Sequence, residues 1–167
     1  MTIICKIITA AALTAFATTA QAGWTEVNTR IDPMNDAKIV STFIQAEKHD
    51  KSFMSHAVDA IGIRCESKKL TVIALTDGFI STNGGTLQYR AGTAEAKTIK
   101  TNVSTTGKAY MFSGKAAASF LKDALSTDSM KIIGYDFRGT GKLSTVEGMN
   151  ANIENVKIVA EACNVKL

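Results

Sequence analysis

Two cysteines far apart in the chain constrain its fold more than any other feature. Cys65 lies in a strand-like apolar stretch, IGIRCESKKLTVIAL, and Cys163 lies close to the carboxyl terminus. An even number of cysteines in an exported domain predicts a disulfide, and closing a loop of about 100 residues contributes about 4–5 kcal/mol in the chain-entropy model. Two free thiols or a metal pair are the alternatives. The chain has no CxxC or HxxxH spacing that would favour metal.

The first 22 residues predict export, and export makes the disulfide plausible. Lys6 precedes an apolar stretch that runs to about Ala17, and the segment ends in AQA, the small-residue pattern that signal peptidase recognises. We therefore expect residues 1–22 to be a cleaved signal peptide, which removes Cys5. A membrane anchor is the alternative, but a span needs about 20 uninterrupted apolar residues. This segment is shorter and contains several threonines.

Residues 23–167 are expected to form a single periplasmic domain, which is long enough to bury a core. Without Lys6 the net charge falls from +4 to +3, and the charges are scattered rather than gathered in a stripe. Aromatic residues make up only 7% of the chain. We therefore expect no nucleic-acid partner. No second apolar run is long enough to cross a membrane after cleavage.

Short runs of β-branched and apolar residues predict a mainly β fold. Strand-like runs lie at 36–47, 61–65 and 70–75 and in the sequences KTIKTNVST, AYMF, MKIIGYDF and KLSTVE. A polar turn from Glu66 to Lys69 predicts one hairpin. Asn83-Gly84, within FISTNGGTLQYR, predicts a second hairpin with a type I′ turn.

Two helices are expected beside these strands. Ser113 is a candidate N-cap for GKAAASFLKDAL, whose apolar residues fall on one face. A second helix is predicted from about Gly148 to the carboxyl terminus, with Cys163 on its buried face, so the disulfide would hold this helix against the Cys65 strand. We predict an α+β fold: a mostly antiparallel twisted β-sheet or small sandwich, with two helices on one face and one disulfide.

The sequence indicates no catalytic residue, no metal site and no cofactor. His49 and His56 lie in a polar connecting segment, where solvated loop residues are far more common than an acid–base or metal site. STTGKA and RGTGKLS lack the first glycine of a phosphate loop and are interpreted as turns. Arg64, Arg90 and Arg138 would form an anion site if the fold gathered them, but three separate strand ends are the favoured interpretation.

The order of these segments resembles the VasI/TagO-like family, small periplasmic proteins associated with bacterial type VI secretion systems. The segments that carry the resemblance are IDPMNDAKIVSTFIQAE, IGIRCESKKLTVIAL, LQYRAG, STTGKAYMFSGKAAASFLKDAL, KIIGYDF and TVEGMNANIENVKIVAEAC. Two departures are evident: Arg90-Ala91-Gly92 replaces the family's Arg-Ile-Asp, and the only tryptophan is Trp24.

The resemblance implies a non-enzymatic periplasmic accessory protein. Its partner would be a periplasmic protein, such as the membrane complex of a secretion system, or peptidoglycan of the cell wall. A binding protein that inhibits a cell-wall hydrolase is the alternative function, and a hydrolase that uses His49 or His56 is a third. The candidate interaction surface consists of Asn83, Gly84, Tyr89, Arg90 and Arg138.

Overall fold

A computed structural model describes residues 23–47 and 57–167, which contain nine strands and two helices. The strands are β1 Asn28–Ile31, β2 Lys38–Gln45, β3 Val58–Glu66, β4 Lys69–Thr76, β5 Gly85–Ala91, β6 Lys97–Val103, β7 Ala109–Ser113, β8 Ser129–Tyr135 and β9 Gly141–Glu147. The helices are α1 Lys115–Leu125, between β7 and β8, and α2 Ile153–Ala162, after β9.

All strand pairs are antiparallel, and the sheet has the order β1-β2-β3-β4-β7-β6-β5-β8-β9. Strand β6 joins two halves, because it pairs with β5 at five positions but with β7 at only two. The sheet curls until β9 approaches the start of β3, where the Val58 amide donates to Ser144 Oγ at 2.8 Å. The predicted α+β fold with a mostly antiparallel sheet is confirmed.

Both helices pack on the inner face of the sheet. Phe120 of α1 makes edge-to-face contact with Phe112 of β7, with ring centroids 5.3 Å apart. Helix α2 lies against β2 and β3 and buries Val156 and Val159. One apolar core extends from the strands to both helices, so burial of apolar surface is the main stabilising contribution to the fold.

The predicted disulfide is present. The sulfur atoms of Cys65 and Cys163 are 2.03 Å apart and their Cα atoms 5.6 Å apart. Cys65 faces the core from β3, and Cys163 follows the last residue of α2. The bond therefore fixes the carboxyl-terminal helix to β3, the strand of Cys65, as the sequence predicted.

The hairpin of β3 and β4 is also confirmed, because Ser67 and Lys68 form its two-residue turn with φ of 48° and 61°. The second predicted hairpin was wrong. Residues 77–84 form a loop that connects β4 to β5, and β5 pairs with β6 and β8 instead of β4. Gly84 has φ of 105°, but Asn83 is not among the residues with positive φ, so the type I′ turn does not form.

Both helix starts differ from the prediction. Ser113 is the last residue of β7, and α1 begins at Lys115 after Gly114, which has φ of 65° and leaves the helix without a side-chain cap. Helix α2 begins at Ile153, because the residues from Gly148 form turns that pack Met149 into the core. In both cases a local signal was overridden by tertiary contacts.

Trp24 secures the amino-terminal segment to the start of α2. Its indole Nε1 donates to the Met149 carbonyl at 2.9 Å, and the side chain is buried. The side-chain Nδ2 of Asn155 donates to the Thr25 carbonyl at 3.0 Å. Within the described residues, no helix is both long and apolar enough to cross a membrane.

Candidate functional site

Three loops meet at one end of the sheet: 77–84 after β4, 104–108 after β6 and 136–140 after β8. Ile80 ties them together, since its amide donates to the Gly107 carbonyl at 2.7 Å and its carbonyl accepts from the Phe137 amide at 3.0 Å. Its side chain is fully buried. The loops are therefore attached to the core and to one another.

Asp136 shapes the loop between β8 and β9. Its Oδ1 accepts hydrogen bonds from the backbone amides of Arg138 and Thr140 at 2.9 and 2.8 Å. Gly139 in this turn has φ of 76°, a conformation that favours glycine. This geometry holds Phe137 and Arg138 outward at the tip.

Two aromatic rings lie exposed where the loops meet. Phe79 and Phe137 are 45% and 61% exposed, and their centroids are 6.5 Å apart in an edge-to-face arrangement. The Arg138 guanidinium carbon lies 5.0 Å from the centroid of the Phe137 ring, a cation–π contact. Gly107 makes room for Phe79, because a Cβ at position 107 would lie 2.3 Å from that ring.

A groove of about 670 Å³ lies beside these rings. Its lining consists of Asn83, Gly84, Gly85, Thr86, Lys100, Thr101, Tyr135, Asp136, Phe137 and Gly139. We define the loop-end surface as Phe79, Asn83, Gly84, Phe137 and Arg138. Aromatic rings beside a groove of mixed polar and apolar lining suit a macromolecular contact, since apolar anchors with a polar rim are typical of interfaces.

The structure brings together three of the five residues predicted as an interaction surface. Asn83 and Gly84 line the groove beside Phe137, on which Arg138 stacks. Arg90 is exposed near the far end of β5, on the outer face of the sheet. Tyr89 does not belong to any exposed surface, because it is only 3% exposed. Adjacent strand residues point to opposite faces, so Tyr89 and Arg90 were incompatible with a single surface.

Tyr89 instead packs inside the protein, against helix α1. Its ring packs edge-to-face on Phe120, with centroids 4.9 Å apart, and its hydroxyl donates to Asp123 Oδ2 at 2.7 Å. Burial, followed by the hydrogen bond to Asp123, raises the pKa of the Tyr89 phenol well above its usual value. Burial alone would raise the pKa of Asp123, but hydrogen bonds from Lys97 and Tyr89 and the charge of Lys97 hold it below its usual value.

Beneath the groove, Tyr110 lies across two glycines of neighbouring strands. A Cβ at position 134 would lie 2.4 Å from Tyr110 Cε2, and one at position 85 would lie 2.8 Å from its ring. No described residue is a hydrogen-bond partner for the Tyr110 hydroxyl. Burial, and then the charge of Asp136, raise its pKa above the usual value. Tyr110 therefore supports the groove from inside.

The three arginines considered as an anion site do not form one. Arg64 is paired with Glu66 on β3, at 2.7 Å, while Arg90 lies on β5 and Arg138 on the loop after β8. His49 and His56 fall outside the described residues. Among the residues that are described, no group of three or more His, Cys, Asp or Glu side chains is placed to hold a metal ion.

Neither Phe79 nor Phe137 was predicted as a site residue, although Phe79 lies in FISTNGGTLQYR, the segment predicted to contain the second hairpin. Each follows an Asp within two residues in a turn-forming stretch, Phe79 in DGFIST and Phe137 in DFRGTG, and lies outside the strands and helices. That position is a usable signal of exposure. The proximity of Phe79 and Phe137 could not be predicted from the sequence, because it depends on the order of the strands in the sheet.

Comparisons with protein-family models, with curated proteins and with solved structures give no match. The resemblance to the VasI/TagO-like family therefore stays a prediction from the quoted segments.

Proposed function

We propose that this chain is an exported, non-enzymatic accessory protein that holds a periplasmic protein partner at its loop-end surface. The resemblance to the VasI/TagO-like family supports a location beside a type VI secretion system. The partner there would be the membrane complex of that system or peptidoglycan. The observation that carries the proposal is the exposed pair of Phe79 and Phe137, with Arg138 on the outer ring.

The composition of this surface supports partner binding. Aromatic residues and arginine are enriched among the residues that dominate binding energy at protein interfaces. Here two phenylalanines and an arginine are adjacent and exposed, and the groove lies beside them. A partner that covers both rings would remove apolar surface from water, which favours association.

The rigidity of the surface supports the same function. The backbone hydrogen bonds of Ile80 and the side-chain bonds of Asp136 fix the loops before a partner arrives. Ordering of flexible loops opposes binding, so a preformed surface loses less free energy on association.

The test is a crosslinking pull-down from the protein's own host with tagged wild type and with F79S/F137S. The matched control is L143S/I158S, because Leu143 and Ile158 are similarly exposed, at 50% and 48%, but lie outside the loop-end surface. Circular dichroism first confirms that both variants are folded. We expect wild type and control to recover the same partner, and F79S/F137S to recover it at least roughly tenfold less.

Equal recovery by F79S/F137S and wild type would exclude the loop-end surface as the binding site. The identity of the captured protein separates the two candidate functions. Components of a secretion membrane complex support the accessory function. A cell-wall hydrolase captured alone, and inhibited by the wild type in an activity assay, supports the alternative in which the loops block an enzyme.

A further inference from the structure

A second surface, which adjoins the groove of the loop-end surface at Lys100, carries three cations that form no ion pair among the described residues. Arg90 on β5, Lys100 on β6 and Lys131 on β8 are all exposed. They share the outer face, since the alternate residues Leu87 and Ile132 are buried in the core. We call these three residues the basic face.

The register places like charges side by side. Arg90 is directly opposite Lys131 in the β5–β8 pair, and Lys100 is opposite Thr86, four residues from Arg90. Like charges at directly opposed positions of antiparallel strands are destabilising. The chain therefore keeps an arrangement that stability alone does not favour.

Neighbouring carboxylates do not neutralise the basic face. Within the described residues the ion pairs join Arg64 to Glu66, Lys97 to Asp123 and Lys157 to Glu154. None of these pairs includes a residue of the basic face.

One carboxylate lies on the same outer face among the residues of β5, β6, β8 and β9. It is Glu147, which is opposite Ser129 and accepts the hydroxyl hydrogen bond of that residue at 3.0 Å. The positive potential of the basic face is therefore available to an anionic ligand.

Hydroxyl and amide side chains fill the space between the cations. Lys100 Nζ donates to Thr86 Oγ1 at 3.2 Å, and the Tyr135 hydroxyl donates to Gln88 Oε1 at 3.1 Å. Lys100 lies opposite Thr86, and Thr86 is four residues from Arg90 along β5. The cations at these two positions are therefore about 13 Å apart along the strand, at the rise of a β-strand. An extended ligand with acidic groups several units apart would match this spacing.

We infer that the basic face binds an acidic polysaccharide, a sugar chain that carries carboxylate or phosphate groups. The acidic groups would pair with Arg90, Lys100 and Lys131, and sugar hydroxyls, which both donate and accept hydrogen bonds, would meet Thr86 and Gln88. This inference does not depend on the loop-end surface.

The chemistry of this face favours a glycan over a membrane or an acidic protein. Membrane-surface binding needs apolar residues among the basic ones, and a protein interface needs an apolar centre. Here Thr86 and Gln88, which lie between the cations along β5, are polar. The apolar side chains of this face are on the β8–β9 side, where Ile133 lies opposite Gln88 and Leu143 lies opposite Ile133.

The experiment measures binding of the purified domain to immobilised polygalacturonate, to glycerol-phosphate polymer and to neutral dextran. R90Q/K100Q/K131Q is compared with wild type. The matched control is K108Q/K115Q/K122Q, which removes three exposed lysines elsewhere. We expect wild type and control to bind one of the acidic polymers but not dextran, with affinity that falls as salt rises. R90Q/K100Q/K131Q should bind roughly tenfold more weakly.

Three results would overturn the inference. The first is that neither acidic polymer retains wild type, and the second is that the two triple variants bind equally well. The third is that vesicles of anionic phospholipid bind wild type more tightly than both polymers, which would assign the basic face to a membrane. Unchanged circular dichroism of the variants separates a lost contact from a lost fold.

Discussion

At the scale of single residues, the support beneath the groove depends on glycine at position 134. A Cβ there would lie 2.4 Å from the Tyr110 ring, which is fully buried. We expect Gly134→Ala to lower the free energy of unfolding by about 1–3 kcal/mol, as overpacking does. Urea denaturation measures the change. Gly139→Ala is not a suitable control, because Gly139 has φ of 76° and an alanine there would be strained by its backbone conformation. A Gly134→Ala variant as stable as wild type would refute this packing.

The Tyr110 hydroxyl leads to a separate prediction. Since no described residue is its hydrogen-bond partner, Tyr110→Phe removes a buried polar group without breaking a bond within the described part of the chain. We expect the free energy of unfolding to rise or to change by less than about 0.5 kcal/mol. A loss above about 1.5 kcal/mol would mean that the hydroxyl makes a stabilising hydrogen bond.

Asp123 makes stability depend on pH. Its folded-state pKa is lowered, so its contribution is present above the unfolded pKa of about 3.9 and is lost as pH falls through the folded pKa. We expect Asp123→Asn to lower the free energy of unfolding by about 1 kcal/mol at pH 7, and the difference from wild type to shrink in acid. Urea denaturation across this pH range measures it. Asp77→Asn, at an exposed carboxylate, is the control, and a difference that grows in acid would contradict the assignment.

At the scale of elements, two attachments hold the first and last segments of the described residues. The disulfide joins β3 to the end of α2, and Trp24 joins the amino-terminal segment to the start of α2. We expect C65S/C163S to lose about 2–5 kcal/mol of stability. Reductant should produce a similar loss in wild type and none in the variant. Equal stability of oxidised and reduced wild type would show that α2 is held by packing alone.

Trp24 also reports on its own attachment, because it is the only tryptophan in the chain and is 1% exposed. We expect native fluorescence to be blue-shifted and to move to the red on unfolding. Trp24→Phe should cost about 1–2 kcal/mol, since the Met149 carbonyl loses its donor. Emission typical of a solvent-exposed indole in the native protein would contradict the described amino-terminal contacts.

Local sequence patterns located most elements but not their arrangement. Alternation placed β2, β3, β4, β6, β7, β8 and β9 within a few residues, because alternation reflects which face of a strand is buried. The short β1 was missed, since all four of its residues are exposed and give no alternation. The hairpin at Asn83-Gly84 was wrong because the run before Asn83 lies in the loop 77–84, and β5 pairs with β6 and β8 instead.

At the scale of the whole molecule, that same strand order creates the candidate site. Because β7 and β6 lie between β4 and β5, the loop 77–84 crosses the end of the sheet and meets the loops after β6 and β8. Such contacts between distant segments are not encoded in local periodicity. The sequence therefore indicated Asn83, Gly84 and Arg138 individually, while Phe79 and Phe137 became visible as a pair only in the fold.

The two surfaces have different chemistry and lead to different expectations. The loop-end surface offers aromatic anchors to a protein, and the basic face offers separated cations to an acidic polymer. An exported accessory protein with both would hold a protein partner close to the cell wall. Salt should weaken binding at the basic face much more than at the loop-end surface, since screening acts on exposed charges.

The most direct test of the central claim is site-specific photocrosslinking in the protein's own host. A photoreactive phenylalanine analogue replaces Phe137 in one variant and Leu143, on the neighbouring strand β9, in another. We expect position 137 to form a single adduct with a periplasmic protein and position 143 not to form it. An adduct from position 143 alone, or equal adducts from both positions, would contradict the assignment of the loop-end surface as the binding site.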